Sequence, residues 1–164
     1  MRKCYVLGYS RNESTREAAR WATEQVLPDG KLVIIHSTRD LHLPAPPATD
    51  AEVRRRLGRD VVDELLLEGE DAMFDVDVEV EVVDKDPVSA LCEAGARHSA
   101  EAIVVGCEPR SRLRTAVGTV TVELLRRSPI PVIVMPSRAD AARAEQKLDG
   151  SEPSRRLAHS AKRF

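Results

Sequence analysis

The fold is decided by residues 102–136, which run AIVVGCEPRSRLRTAVGTVTVELLRRSPIPVIVMP. The apolar residues 102–105 predict a buried strand. An irregular segment, 107–117, separates this strand from a predicted helix over about 118–127, which a Ser-Pro pair ends. Residues 132–135 form a second apolar run between two prolines. A strand, a helix and a strand in succession favour a parallel pair joined by a crossover. The helix positions predicted to be buried are Val120, Leu124 and Leu125.

The same pattern starts at the amino terminus. Residues 5–9 predict a strand, and the spacing of Ala18, Trp21, Ala22 and Val26 predicts an amphipathic helix with Ser14 and Glu17 as a capping box. Pro28-Asp29-Gly30 ends this helix before a strand at 32–36. A proline-containing loop at 41–49 is followed by a second helical stripe, formed by Val53, Leu57, Val61 and Leu65.

Residues 76–82 alternate strictly between valine and acidic side chains, which predicts a strand with one acidic face. Such a strand belongs at a sheet edge, where charges discourage pairing with other chains. Asp86 and Pro87 then predict the start of a helix. Five strands alternating with four helices indicate an α/β fold, a doubly wound, Rossmann-like parallel sheet with helices on both faces.

Residues 1–136 account for this domain, and residues 137–164 differ in composition. The last segment carries seven Lys or Arg and four Asp or Glu, so its net charge is +3 against −5 for the rest of the chain. It contains few large apolar residues. We therefore predict a mobile basic tail over 137–164 in preference to an ordered helix.

Composition excludes several classes of protein. A net charge of −2 provides no general attraction to nucleic acid, and no apolar run is long enough to span a membrane. Cys4, Cys92 and Cys107 are three widely spaced cysteines without CxxC pairing, which indicates free thiols in a reducing compartment. We expect a cytoplasmic protein that binds neither nucleic acid nor membrane.

In a doubly wound sheet, ligands bind at the carboxyl ends of the strands, where the direction of the connections reverses. Two loops qualify, at 10–14 and 106–119. The second ends at a helix N-terminus, whose N–H groups and dipole favour a phosphate, and its arginines offer charged partners, although exposed arginines also serve solubility. The candidate nucleotide-binding residues are Ser10, Gly106, Arg110, Gly118 and Thr119.

At these residues the chain resembles the universal stress protein family over about residues 3–136. The resemblance rests on the strand and serine-containing turn at the start, on Asp86-Pro87, on the Ile103–Gly106 strand, on Gly118-Thr119-Val120 and on the Pro129–Val134 segment. It implies the sheet order 3-2-1-4-5, homodimers, stress or metabolic regulation and, in one branch, ATP binding. It implies no established catalytic reaction.

The ATP-binding branch carries Gly, two residues, Gly, nine residues, then Gly followed by Ser or Thr. Here Pro109 stands at the second glycine, only eight residues separate it from Gly118, and Ser10 replaces the acidic residue after the first strand. Proline removes an N–H donor, and Glu108 would repel a phosphate. Gly106, Gly118 and Thr119 remain, either as parts of a site or as a turn and a helix cap.

Other features of the sequence indicate binding to other protein chains rather than catalysis. The uncharged strand of Val132, Ile133 and Val134 predicts an edge that pairs with a second copy. No nucleophile motif or set of ligands with metal spacing is present, so no catalytic or metal residue is predicted. Cys107 is a candidate redox sensor or an inert thiol. We predict a non-catalytic stress-response regulator, a dimeric interaction module for an unidentified protein partner, with a degenerate nucleotide-binding loop. The alternative is a regulator that binds ATP, with Mg, or another adenine nucleotide through residues 106–119.

Overall fold

The computed structural model describes residues 2–10, 12–40, 76–107 and 118–149, together with the helical positions 56, 59, 60 and 63. The continuous ranges among them form five strands, four α-helices and one short 3-10 helix. In chain order they are β1 (Cys4–Gly8), α1 (Glu13–Val26), β2 (Lys31–Ser37), the 3-10 helix (Thr38–Asp40), β3 (Asp77–Val83), α2 (Pro87–Arg97), β4 (Ala102–Cys107), α3 (Thr119–Arg127), β5 (Val132–Pro136) and α4 (Arg138–Asp149).

All five strands are parallel, and their order is β3-β2-β1-β4-β5. The predicted fold class and strand order are confirmed. From β1 the chain moves outward through β2 to β3, then crosses back to β4 on the other side of β1. The connections therefore diverge between the carboxyl ends of β1 and β4, which is where a doubly wound sheet binds ligands.

Alternate residues of the central strands enter two apolar layers, as expected for a parallel sheet covered on both faces. One layer packs Leu7 and Ile34 against Ala18 and Ala22 of α1. The other packs Val6, Val33 and Ile103 against Val88 and Leu91 of α2 and Leu124 of α3. The predicted burial of Leu125 is wrong, because this side chain of α3 is 56% exposed. Trp21 packs on the α1 layer, with its ring centroid 5.9 Å from that of Tyr5.

Two helices begin on side-chain caps. Asp86 caps α2 as predicted, because its carboxylate accepts a hydrogen bond from the Ser89 backbone N–H at 2.8 Å. Helix α1 differs from the prediction, since it starts at Glu13 and its cap is Asn12 rather than Ser14. The Asn12 Oδ1 accepts from the Thr15 N–H at 2.9 Å. The Ser14 hydroxyl donates to the same oxygen at 3.0 Å, so Ser14 supports the cap without being it.

The carboxyl-terminal segment also differs from the prediction. Helix α4 occupies Arg138–Asp149, where we expected a tail without regular structure. Ser137 caps its first turn by accepting from the Asp140 N–H at 3.3 Å, and Arg138 lies 2.8 Å from Glu17 of α1. Alanine has the highest intrinsic helix propensity, so an alanine-rich segment with a cap can be helical without large apolar residues. Residues 150–164 lie outside the described residues.

Both predicted sheet edges are confirmed, with the acidic β3 on one side and β5 on the other. The helical stripe predicted from Val53 to Leu65 lies outside the described residues, although positions 56, 59, 60 and 63 between them are helical. No helix among the described residues is long and apolar enough to cross a membrane.

Candidate functional site

A cavity of about 290 Å³ lies at the carboxyl ends of β1 and β4. The amino-terminal ends of α1, α2 and α3 surround it. One wall is apolar and the rim is polar. The apolar wall is formed by Ile35, Pro87, Leu91, Val105 and Val120, and the polar residues are Ser10, Asn12, Thr15, Ser37, Thr119 and Thr121.

Among the described residues, no charged side chain lines this cavity. An anionic group bound there would be stabilised by backbone N–H groups and helix dipoles, because the first N–H groups of a helix have no partner within the helix. The state of each helix N-terminus therefore decides where an anion could bind.

Two of the three N-termini are already occupied. Asn12 caps α1, and Asp86 caps α2 with a carboxylate whose pKa is lowered by hydrogen bonds from the side chain and backbone of Ser89. Helix α3 begins after Gly118, which provides no side-chain cap. Within the described part of the chain, the first N–H groups of α3 therefore have no side-chain cap, and they lie beside the cavity at Gly118 and Thr119.

The two glycines predicted at the site have different surroundings. A Cβ atom at Gly106 would lie 2.5 Å from the backbone nitrogen of Thr15 and 2.5 Å from the carbonyl carbon of Ser14. A Cβ atom at Gly118 would meet no heavy atom of the described residues within 4 Å. Gly106 is therefore required for packing against α1, whereas Gly118 leaves space at the cavity.

Three side chains at the start of α1 form a closed ring of hydrogen bonds. Asn12 Nδ2 donates to Ser10 Oγ at 2.9 Å, and Thr15 Oγ1 donates to Asn12 Oδ1 at 2.5 Å. Ser10 Oγ lies 3.2 Å from Thr15 Oγ1, and since the Thr15 proton is engaged by Asn12, Ser10 is the donor in this pair. The ring fixes the position of the Ser10 hydroxyl at the cavity rim.

Of the five predicted nucleotide-binding residues, the structure brings Ser10, Gly106, Gly118 and Thr119 together around this cavity. Arg110 lies outside the described residues, as do Pro109 and the rest of the loop over 108–117. The sequence pointed to the loop 10–14, which contains Asn12, but identified neither Asn12 nor Thr15 as a candidate binding residue. A local sequence pattern could have identified them. Asn12 lies three residues before Thr15 at the start of a helix, which is the spacing between an N-cap residue and the N–H group that it caps.

His36 lies near the end of β2, and its buried side chain makes a hydrogen bond within the fold. Its Nδ1 donates to the backbone carbonyl of Tyr9 at 2.9 Å, because a carbonyl oxygen can only accept. This bond fixes the end of β2 against the residue that follows β1.

A second group of polar side chains lies away from the cavity, between β3 and the carboxyl end of α2. Glu79, Glu81 and His98 place one ligand atom each within 4.8 Å of one another. A hydrogen bond from Lys31 lowers the pKa of Glu79. Sequence spacing did not predict this grouping, because the residues come from two elements that meet only in the fold.

The cysteines divide by burial. Burial raises the pKa of Cys4 and of Cys92, which makes both thiols less reactive. Cys107 ends β4 and is half-buried. A redox role for Cys107 stays a prediction.

Comparisons with known proteins agree with the fold. The family model described as the universal stress protein family matches residues 1–136. No curated protein matches the chain. A structure of universal stress protein UspA from Lactobacillus plantarum is similar with a TM-score of 0.64 at 17% identity, covering 82% of this chain and 97% of that one.

Two further similar structures are nucleotide complexes. A universal stress protein from Archaeoglobus fulgidus in complex with dAMP has a TM-score of 0.54 at 19% identity, covering 82% of this chain and 98% of that one. A universal stress protein family protein from Arabidopsis thaliana with AMP bound has a TM-score of 0.55 at 20% identity, covering 84% and 94%. At these identities the likeness concerns the fold.

Proposed function

Because the chain belongs to the universal stress protein family, we propose that it is a non-catalytic stress-response regulator whose cavity between β1 and β4 binds an adenine nucleotide. The observation that carries this proposal is the uncapped N-terminus of α3, which opens onto the cavity at Gly118. The dAMP and AMP complexes of two proteins with this fold support it.

The phosphate binds at Gly118 and Thr119. The N–H groups of the first turn of α3 donate to it, and the helix dipole stabilises its negative charge. Thr119 lines the cavity, and its hydroxyl is a further donor. Gly118 leaves room for this approach, because no heavy atom of the described residues lies within 4 Å of the position that a Cβ atom would take there.

The base binds against the apolar wall, where Leu91, Val105 and Ile35 provide contact area for an aromatic ring. Ser10 and Ser37 at the polar rim offer hydrogen bonds to hydroxyl or amino groups of the ligand. Ligand sites commonly enclose about 300–1,000 Å³, and the cavity of about 290 Å³ lies just below that range. This size favours a mononucleotide over a dinucleotide.

Magnesium would accompany ATP, and no carboxylate ligand for it lines the cavity among the described residues. Among the described lining residues the oxygen ligands are hydroxyls, amides and backbone carbonyls, and no Asp or Glu is present. Mg²⁺ is commonly held by substrate phosphates with one or two carboxylates. The ion would therefore bind through the nucleotide phosphates.

The residues of the loop over 108–117 favour a nucleoside monophosphate over a triphosphate. Pro109 and Glu108 weaken a phosphate cradle on chemical grounds, and a triphosphate needs more donors than a monophosphate. We therefore expect AMP to bind at least as tightly as ATP with Mg²⁺. Comparable binding constants for AMP and ATP would still support the site, whereas a strong preference for ATP would contradict the degenerate loop.

The test is calorimetric titration of the purified protein with AMP, ATP, and ATP with Mg²⁺, together with mass spectrometry of an acid extract for a copurified nucleotide. The variant Gly118→Asp caps α3 with its own carboxylate and occupies the phosphate position, so it should abolish binding while preserving thermal stability. Gly118→Ala is the matched control, because it leaves the N–H donors open. Wild-type protein without heat of binding or ligand-induced thermal shift would refute nucleotide binding.

A second candidate function is that of an adaptor that works without nucleotide. It is favoured by β5, whose residues Val132, Ile133 and Val134 lie at the sheet edge and are only partly buried. We propose a homodimer that pairs through this edge and presents a surface to a protein partner in the cytoplasm. The net charge of −2 gives no support for binding to nucleic acid or to a membrane.

A further inference from the structure

We propose that Glu79, Glu81 and His98 form a binding site for a divalent first-row transition cation, with zinc as the best fit. The site is separate from the cavity between β1 and β4 and does not depend on nucleotide binding. It joins the edge strand β3 to the carboxyl end of α2.

The geometry of the three ligand atoms fits one cation. His98 Nε2 lies 3.1 Å from Glu81 Oε1 and 4.0 Å from Glu79 Oε1, and all three atoms lie within 4.8 Å of one another. Ligands of a tetrahedral zinc with bonds of about 2.0–2.2 Å are separated by about 3.4 Å. Side-chain shifts of less than about 1 Å would therefore complete the site.

Each ligand comes from a defined element of the fold. Glu79 and Glu81 are two residues apart in β3, so both carboxylates project from the same face of the strand. His98 is the C-cap residue of α2, and its backbone N–H donates to the Ala94 carbonyl at 3.0 Å. The His98 side chain is 13% exposed, and its Nε2 points at the carboxylates. The ligands are thus held by secondary structure.

The chemical types of the three ligand atoms determine which class of cation fits the site. Imidazole binds zinc, copper, iron and nickel, whereas sites made only of oxygen suit magnesium and calcium. One imidazole with two carboxylates resembles the three-ligand sites that leave a position open for water. The imidazole is therefore the feature that separates this group from an ordinary acidic surface.

Two basic side chains compete with the cation. Arg97 donates to both carboxylate oxygens of Glu81 at 2.5 Å, and Lys31 lies 2.5 Å from Glu79 Oε2. The Arg97 side chain is 51% exposed and can turn to solvent when a cation replaces it. Removal of Arg97 should consequently strengthen cation binding, whereas removal of a ligand should weaken it.

The experiment titrates ZnCl₂ into the full-length protein at pH 7.5 and measures heat and thermal stability. We expect one zinc ion per chain and a rise in Tm. His98→Gln should weaken binding at least about tenfold, because loss even of a residue that only supports a ligand commonly costs about 10–100-fold. Arg97→Gln should tighten binding. Titration with CoCl₂ should give visible absorption bands that His98→Gln removes.

Two control variants locate the ion. Glu93→Gln removes a carboxylate of α2 that pairs with Lys85 outside this group, and His42→Gln removes another histidine of the chain. Both should bind zinc like the wild type. Absence of zinc binding at millimolar concentration would overturn the proposal. Binding that His98→Gln leaves unchanged, or that His42→Gln abolishes, would also overturn it.

Discussion

The backbone nitrogen of Thr15 lies so close to Gly106 that a Cβ atom at position 106 would be 2.5 Å from it. This contact packs the end of β4 against the first turn of α1. Gly106 therefore needs no role in ligand binding to explain it, because its packing alone excludes a side chain. Gly118 has no comparable contact among the described residues.

The first prediction is that alanine substitutions at these two glycines differ in their effect on the stability of the protein. Gly106→Ala should destabilise the protein by about 1–3 kcal/mol, because the added methyl group must displace backbone atoms of α1. At roughly 2–4 °C of Tm per kcal/mol for a chain of this size, the loss is measurable by thermal unfolding. Gly118→Ala should change stability by less than about 1 kcal/mol. Equal effects of the two variants would contradict the different roles assigned here.

The second prediction concerns the charge at the cavity rim. Asn12→Asp keeps an acceptor for the Thr15 N–H and so preserves the α1 cap, but it removes the Nδ2 donor to Ser10 and adds a carboxylate. AMP affinity should fall at least about fivefold, since a carboxylate near a phosphate is repulsive. The loss should shrink at high salt. Asn12→Ser is the neutral control, and it should bind AMP within about twofold of the wild type while retaining the cap. Unchanged affinity in Asn12→Asp would place the phosphate elsewhere.

The sequence alone identified the fold class, because each strand has a recognisable pattern of apolar residues. The apolar run before Gly106 and the valine alternation in β3 needed no tertiary information. The cap at Asp86 was equally visible, since proline follows it directly. The strand order came from the family resemblance, because hydrophobic periodicity does not say which strands are neighbours.

What the sequence could not provide depends on contacts between distant segments. Two cap patterns overlap at the start of α1, and only the hydrogen bond to Thr15 selects Asn12 over Ser14. The cavity arises where the N-termini of three helices converge. His98 meets Glu81 across seventeen positions of sequence. Such proximities follow from packing, and no local pattern encodes them.

The third prediction uses the pH dependence of the α2 cap. Hydrogen bonds from Ser89 hold the pKa of Asp86 below its usual value of 3.8. A carboxylate with a lowered folded-state pKa stabilises the protein fully above its unfolded-state pKa, and this contribution is lost as pH falls through the folded-state pKa. The stability difference between wild type and Asp86→Asn should therefore be larger at pH 7 than at pH 3.

The companion variant Asp86→Ala tests the cap itself. It should cost about 0.5–2 kcal/mol at pH 7, because the Ser89 N–H loses its acceptor. Urea unfolding at both pH values measures these differences. A wild-type stability that changes with pH in the same way as that of Asp86→Asn would show that Asp86 does not contribute to the acid dependence.

The last prediction addresses the dimer edge. In a twofold pairing of two β5 strands, each copy of Ile133 lies near the same strand of the other copy, so Ile133→Lys would bring like charges together and oppose the pairing. Light scattering at micromolar concentration should give a dimer for the wild type and a monomer for this variant. Because Ile133 also packs on the α1 layer, thermal unfolding must show that the variant is folded. Val80→Lys is the matched control, since Val80 is 38% exposed on the opposite edge strand and should leave the dimer intact. A monomeric wild type would refute the β5 dimer, and a monomer produced by Val80→Lys but not by Ile133→Lys would move the interface to β3.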